Sequence, residues 1–117
     1  SATFEKNKTI SVYVCGPTVY DRAHIGNFRT LILADIVVRT LRFIGHEVNF
    51  VMNITDIDDK MIDKAAKEGT TLSEIAERYE SAFFDDLALL NICPADTYPR
   101  ATEHFPEMKQ LLNTLVE

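Results

Sequence analysis

Two short runs of β-branched and aromatic residues flank a long apolar segment whose polar positions recur at helical spacing. The first run, Thr9 to Val14 (TISVYV), is bounded by Lys8 and by the turn formers Gly16 and Pro17, and predicts a short buried strand over about residues 9–15. From Ile25 to Ile44 the chain is apolar on most sides, and Asp35, Arg39 and Arg42 fall on one helical stripe. That pattern predicts a helix over about 25–44 with a single narrow wet stripe, stopped by Gly45. Val48 to Ile54 (VNFVMNI) is again strand-like over about 48–54, and largely apolar, as a parallel strand covered on both faces should be. Strand, crossover helix of about five turns and strand make a right-handed βαβ unit with parallel strands, so the class is α/β.

The remainder reads as helices. Asp58 caps a helix over about 58–68 that carries Met61, Ile62, Ala65 and Ala66 and stops at Gly69. Thr71 with Glu74 three residues on forms a capping box for a longer helix over about 72–91, striped by Leu72, Ile75, Ala76, Tyr79, Phe83, Leu87 and Leu90. Pro94 and Pro99 break the chain, and a last helix over about 103–117 carries Phe105, Met108, Leu111, Leu112, Leu115 and Val116. The sequence ends inside that helix without a stop signal and begins with Ser1, as expected of a trimmed piece of a larger domain.

Composition narrows the class further. With 117 residues, 46% hydrophobic and 26% charged, the chain matches one soluble globular domain. No apolar run approaches the ~20 residues that span a bilayer, and the start SATFEKNKT lacks the basic-then-apolar pattern of a secretory signal, so a cytoplasmic protein without a membrane partner is expected. A net charge of -6 argues against gripping a nucleic-acid backbone by bulk electrostatics, so any RNA partner is held mostly from elsewhere. Cys15 and Cys93 lie far apart with no CxxC spacing. Neither a disulfide framework nor a self-contained zinc knuckle follows, and any metal site needs ligands from outside.

Ligands of open parallel sheets bind beyond the carboxyl ends of the strands. Cys15 ends the first strand, the turn around His24, Ile25, Gly26 and Asn27 starts the helix, and Asn53, Thr55 and Asp56 end the second strand, so one rim should collect them all. The segment TVYDRAHIGN places an imidazole, a glycine and an amide at a helix N-terminus, where free N–H groups and the macrodipole favour an anion such as phosphate. His24 can donate to a phosphoryl oxygen, Gly26 lets a flat ring approach the backbone, and Asn27 can donate from its amide. The same residues also serve as ordinary caps. Cys15 reads either as a small buried hydrophobe or as a sulfur facing a ligand or metal. Asp58 and Asp59 read as helix-start acids rather than as Mg²⁺ ligands, Cys93 as packing, and His46 and His104 as solvated or structural.

Read together, CGPTVYDRAHIGNFRT, FVMNITDIDDK and PRATEH resemble the cysteinyl-tRNA synthetases over nearly the whole chain. That family belongs to class I and implies a Rossmann-like (HUP-type) catalytic domain, of which these residues resemble the N-terminal half. The resemblance matches Pro17 to Asn27 to the "HIGH" signature, with His24 in the first histidine position and Asn27 where the second histidine stands, and gives these two the catalytic positions. It implies an ATP site at Pro17, Thr18, Tyr20, His24, Ile25, Gly26 and Asn27, and a substrate-cysteine pocket at Gly16, Asn53 and Thr55. Cys15 matches the first ligand of a family zinc ion, whose other ligands, two thiolate or imidazole groups and a carboxylate, come from later in the chain. The implied reaction uses ATP with Mg²⁺ to make cysteinyl-adenylate from L-cysteine and passes the cysteinyl group to the 3′ end of tRNA(Cys), in a protein that is monomeric when whole. Zinc bound to a thiolate discriminates against serine better than pocket size does. The family's "KMSKS" loop, connective insertion and anticodon-binding domain have no counterpart in these residues, so the piece alone is expected neither to hold zinc tightly nor to form adenylate.

Three other kinds of protein share some of these features. A cysteine ligase of the mycothiol-pathway type forms the same adenylate but acylates an amino sugar. A nucleotidylyltransferase shares the His-x-Gly turn but has no need of Cys15. A stand-alone nucleotide-binding module derived from a synthetase needs no catalysis at all.

Overall fold

The computed structural model describes residues 9–116. Strand β1 (Ile10–Val14) lies parallel to strand β2 (Val48–Met52), with Ile10 opposite Val48 and Val14 opposite Met52. Helix α1 (Ile25–Phe43) makes the crossover between them. Helices α2 (Asp59–Glu68) and α3 (Leu72–Leu89) follow, then a 3-10 turn (Ala101–His104) that leads directly into helix α4 (Phe105–Val116). Glu117, expected in that last helix, lies outside the described residues.

The helix ends follow from local chemistry. Asp58 starts α2 by accepting the Lys60 amide at 2.9 Å, and Gly69 ends it in the left-handed region at φ 64. Thr71 and Glu74 close a reciprocal capping box at the head of α3. Behind α3 the chain turns through Asn91 at φ 53, a conformation that an asparagine tolerates better than a branched residue.

The core gathers on one side of the sheet. Phe50 and Met52 of β2 and Ile54 just beyond it are fully buried with Val38 of α1, Met61 of α2 and Ile75 of α3. Each such side chain contributes about 1.5–3 kcal/mol of burial. The opposite face is open among the described residues: Ser11 and Tyr13 of β1 and Asn49 of β2 are exposed, and Tyr13 is 64% accessible. Within the described residues β2 therefore departs from the expectation of a strand covered on both faces. The alternation of half-buried and exposed residues in β1 shows that α1 covers one face only.

The stripe of α1 expected to be wet proves to be a docking surface for the segment after α3. Asp35 accepts the Cys93 amide at 2.7 Å, Arg39 donates to the Asn91 carbonyl at 2.8 Å, and Arg42 pairs with Asp96 at 3.2 Å. Asp96 in turn exchanges hydrogen bonds with the Phe50 backbone at 2.7 Å, and Met52 donates to the Thr97 carbonyl at 3.1 Å, so residues 96–97 line the free edge of β2. The apolar flank of α1, including Leu33, Ile36 and Phe43, is exposed instead, as is the apolar stripe of α4.

Candidate active site at the carboxyl rim

Beyond β1 the chain leaves the ladder at Cys15 and is captured by the side chain of Asn53. The amide oxygen of Asn53 accepts the Gly16 N–H at 3.0 Å and the Tyr13 hydroxyl proton at 2.9 Å. A backbone N–H can only donate, which fixes the orientation of the Asn53 amide and turns its NH₂ toward the Thr55 hydroxyl, 3.4 Å away. The two segments then run on side by side. Thr55 donates to the Pro17 carbonyl at 3.0 Å, and Val19 donates to the Thr55 carbonyl at 3.1 Å. The approach is too close for any side chain at Gly16, where a Cβ would sit 1.8 Å from the Asn53 carbonyl oxygen.

Helix α1 begins at His24, which is its N-cap in extended conformation. The imidazole Nδ1 accepts the Gly26 N–H at 3.0 Å, and the Asn27 side-chain oxygen accepts the His24 N–H at 3.0 Å. Histidine and asparagine thus replace the usual hydroxyl and carboxylate of a capping box. The arrangement has a chemical consequence. Because Nδ1 presents its lone pair to Gly26, the neutral ring carries its proton on Nε2, and Asn27 keeps its NH₂ group as a second donor. Two helix-start N–H groups are consumed by the capping box, so the anion-binding capacity expected of free backbone amides shifts partly to these two side chains.

The loop leading to the cap is pinned from α2. The Lys60 ammonium lies 5.0 Å from the centre of the Tyr20 ring, and Lys64 pairs with Asp21 at 3.6 Å. Lys64 also donates to the Tyr79 hydroxyl at 2.7 Å, and this bond, reinforced by Asp21, holds its ammonium above the ordinary lysine value.

Two neighbouring cavities open on this rim. One, of about 160 Å³, is lined by Cys15, Gly16, Pro17, Gly26, Asn27, Thr30, Leu31 and Phe83. The other, of about 270 Å³, is lined by Gly16, Pro17, Thr18, Tyr20, His24, Asn27 and the loop between them. Ile25 is 77% exposed and lines neither, and Asn53 and Thr55 stand behind Gly16 and Thr18 rather than in the walls. Asp56 departs from the group altogether: it accepts the Thr102 N–H at 3.0 Å and faces a separate cavity with Glu80 and Arg100. Arg100 is locked to Glu80, which keeps its guanidinium firmly protonated. Sequence reasoning missed Tyr13 and Phe83 at the rim. Strand alternation places Tyr13 on the same face as Cys15 two residues on, a signal available in the pattern, whereas Phe83 looked like any other core position of α3.

Cys15 is exposed and unpaired with Cys93, and its thiol makes only a long contact of 3.6 Å to the Gly16 carbonyl. A tetrahedral zinc site takes four donors. Among the described residues no group of three or more His, Cys, Asp or Glu side chains is arranged to hold a metal, so these residues do not by themselves make up a zinc site. Nor is any helix among them long and apolar enough to cross a membrane.

A cysteine--tRNA ligase of Chlamydia pneumoniae is 51% identical over 114 residues, covering 97% of this chain and 24% of that protein. One from Methanosarcina mazei is 50% identical over 112 residues, covering 96% of this chain and 24% of that protein. The chain therefore spans about a quarter of the length of these relatives. Among solved structures, the Mycobacterium tuberculosis methionyl-tRNA synthetase in complex with methionyl-adenylate superposes with a TM-score of 0.68 at 25% identity, over 80% of this chain and 18% of that one. That likeness identifies the βαβ unit as Rossmann-like. Residues 2–117 match the model of the class I (C) tRNA synthetase catalytic domain, and the chain belongs to that family.

Proposed function

We propose that these residues form the nucleotide-binding part of a cysteine--tRNA ligase acting in the cytoplasm as a monomer. The observation that carries the reading is the His24 cap. It holds an imidazole with its Nε2 proton free at the wall of one cavity, while Gly16 and Pro17 join that cavity to the one lined by Cys15. In the first step a carboxylate oxygen of L-cysteine attacks the α-phosphorus of ATP, supplied with Mg²⁺, and pyrophosphate leaves. His24 and Asn27 donate to phosphoryl oxygens as charge builds on them, which is positional and electrostatic catalysis rather than covalent work. Pro17, Thr18, Tyr20 and Gly26 belong to the same nucleotide site, with Ile25 exposed beside it, and Gly16 belongs to the cysteine side, backed by Asn53 and Thr55. In the second step a ribose hydroxyl at the 3′ end of tRNA(Cys) attacks the activated carbonyl and AMP leaves.

Zinc bound through Cys15 and three donors from the rest of the protein would hold the substrate thiolate and reject serine. No step above is assigned to it. The test is cysteine-dependent exchange of pyrophosphate into ATP by the full-length protein, followed by transfer to tRNA(Cys). Exchange with transfer to an amino sugar and not to tRNA would replace this reading with the mycothiol-type ligase, and absence of exchange would leave only a nucleotide-binding module.

A further inference from the structure

We propose that Asn53 is a positioning residue for the Cys15–Gly16 turn, acting with Tyr13 as a polar latch. This rests on the functional reading above only for its kinetic consequence. Cys15 lies past the end of the β1 ladder and makes no strong bond of its own, its thiol reaching only the Gly16 carbonyl at 3.6 Å. What fixes the direction of its sulfur is therefore the backbone that follows. There the Gly16 amide is held at 3.0 Å by the Asn53 oxygen, and the same oxygen takes the Tyr13 hydroxyl at 2.9 Å. Tyr13 is exposed on the open face of the sheet and Asn53, just past the end of β2, is half-buried, and neither belongs to the hydrophobic core.

The geometry leaves little slack. The Gly16 Cα already faces the Asn53 carbonyl at a distance that excludes a methyl group, and residues 17 to 19 are zipped to Thr55 immediately beyond. With its amide oxygen committed to Gly16 and Tyr13 and one NH₂ proton facing Thr55, most of the hydrogen-bonding capacity of Asn53 is spent on the turn. It holds the cysteine side of the site through its neighbours. The phosphate side depends on the separate cap of His24 and Asn27, so the two halves should respond differently to loss of the latch.

The test compares Asn53→Leu, Asn53→Asp and Tyr13→Phe with the wild-type full-length protein. Leucine keeps the size and removes the acceptor, whereas aspartate restores an oxygen for both donors. Hydrogen exchange of the Gly16 amide reads the latch directly, and is expected to quicken about tenfold in Asn53→Leu, about threefold in Tyr13→Phe and little in Asn53→Asp. In pyrophosphate exchange, Asn53→Leu should raise the KM for cysteine about tenfold with the KM for ATP changed less than about twofold, and Asn53→Asp should recover most of the loss. Should Asn53→Leu fail to fold, Tyr13→Phe on the exposed face carries the same comparison. Unchanged Gly16 exchange in the foldable variant lacking a latch bond, an equal rise in both KM values, or aspartate behaving like leucine would overturn the proposal. If the wild-type protein activates no cysteine, the functional reading falls, and Gly16 exchange alone decides the latch.

Discussion

The imidazole Nδ1 of His24 accepts the Gly26 amide proton at 3.0 Å, so the residue that starts helix α1 also has its remaining ring proton committed to Nε2. Structural and chemical roles therefore meet in one side chain, and a substitution can separate them. Asparagine is a good N-cap but cannot reach as far as Nε2. In the full-length protein His24→Asn is expected to leave the thermal midpoint nearly unchanged while slowing adenylate formation about a hundredfold, the scale of losing one transition-state donor. A loss confined to the KM for cysteine would contradict the role.

Two glycines near that cap predict a graded pair of effects. At Gly26 an added Cβ would lie 2.8 Å from the His24 ring, which can swing away at the expense of the cap. At Gly16 it would lie 1.8 Å from a backbone oxygen, with nothing flexible to move. Urea denaturation should find Gly16→Ala destabilised by about 3 kcal/mol or more and Gly26→Ala by about 1 kcal/mol, with Gly26→Ala losing activity through its displaced imidazole.

Periodicity and caps carried much of the fold. The β-branched and apolar runs around Val12 and Phe50 and the helical spacing of Asp35, Arg39 and Arg42 gave a parallel βαβ unit, because each element carries its own local pattern. What did not show in the pattern was pairing between distant polar groups. Asp35 and Arg39 looked solvated because a stripe of charge reads the same whether water or another segment covers it. Likewise Asn53 and Asp56 sit three residues apart at one strand end, and only their partners, Gly16 and Thr102, separate them, Asp56 alone facing a cavity.

Cys15 tests the reading of the rim from the side of the metal. In the full-length protein Cys15→Ser replaces a thiolate by a poorer zinc ligand and should lower zinc per chain and cysteine activation together, while ATP binding persists. Metal content by atomic absorption checks this, and a variant with undiminished zinc would count against Cys15 as a ligand.

The capping box of α3 predicts an acid response. Hydrogen bonds from Thr70 and from the backbone and side chain of Thr71 lower the Glu74 carboxyl from 4.5 to about 2. A carboxyl depressed by folding adds stability above its unfolded value and loses it as pH falls through the folded one. The contribution of Glu74 should therefore be whole above about pH 5 and fade between about pH 4.5 and 2. Denaturation of Glu74→Gln across this window should show a shallower loss on acidification than wild type, and identical slopes would remove the assignment.

The Asp35 carboxylate carries the largest structural prediction outside the rim. It binds the Cys93 amide at 2.7 Å and Arg39 at 2.8 Å with its side chain only 13% exposed, so its removal leaves a part-buried N–H without an acceptor and frees the arginine that reaches Asn91. Losing a charged acceptor in such a place costs about 1–3 kcal/mol. Asp35→Ala should lower stability by that amount and speed amide exchange at Cys93 and at Asp96, which the neighbouring Arg42 secures against the edge of β2. Exchange at Gly16, on the far edge of the sheet beyond β1, should stay as it was, because the bonds that hold it run to Asn53 and share no partner with this clamp.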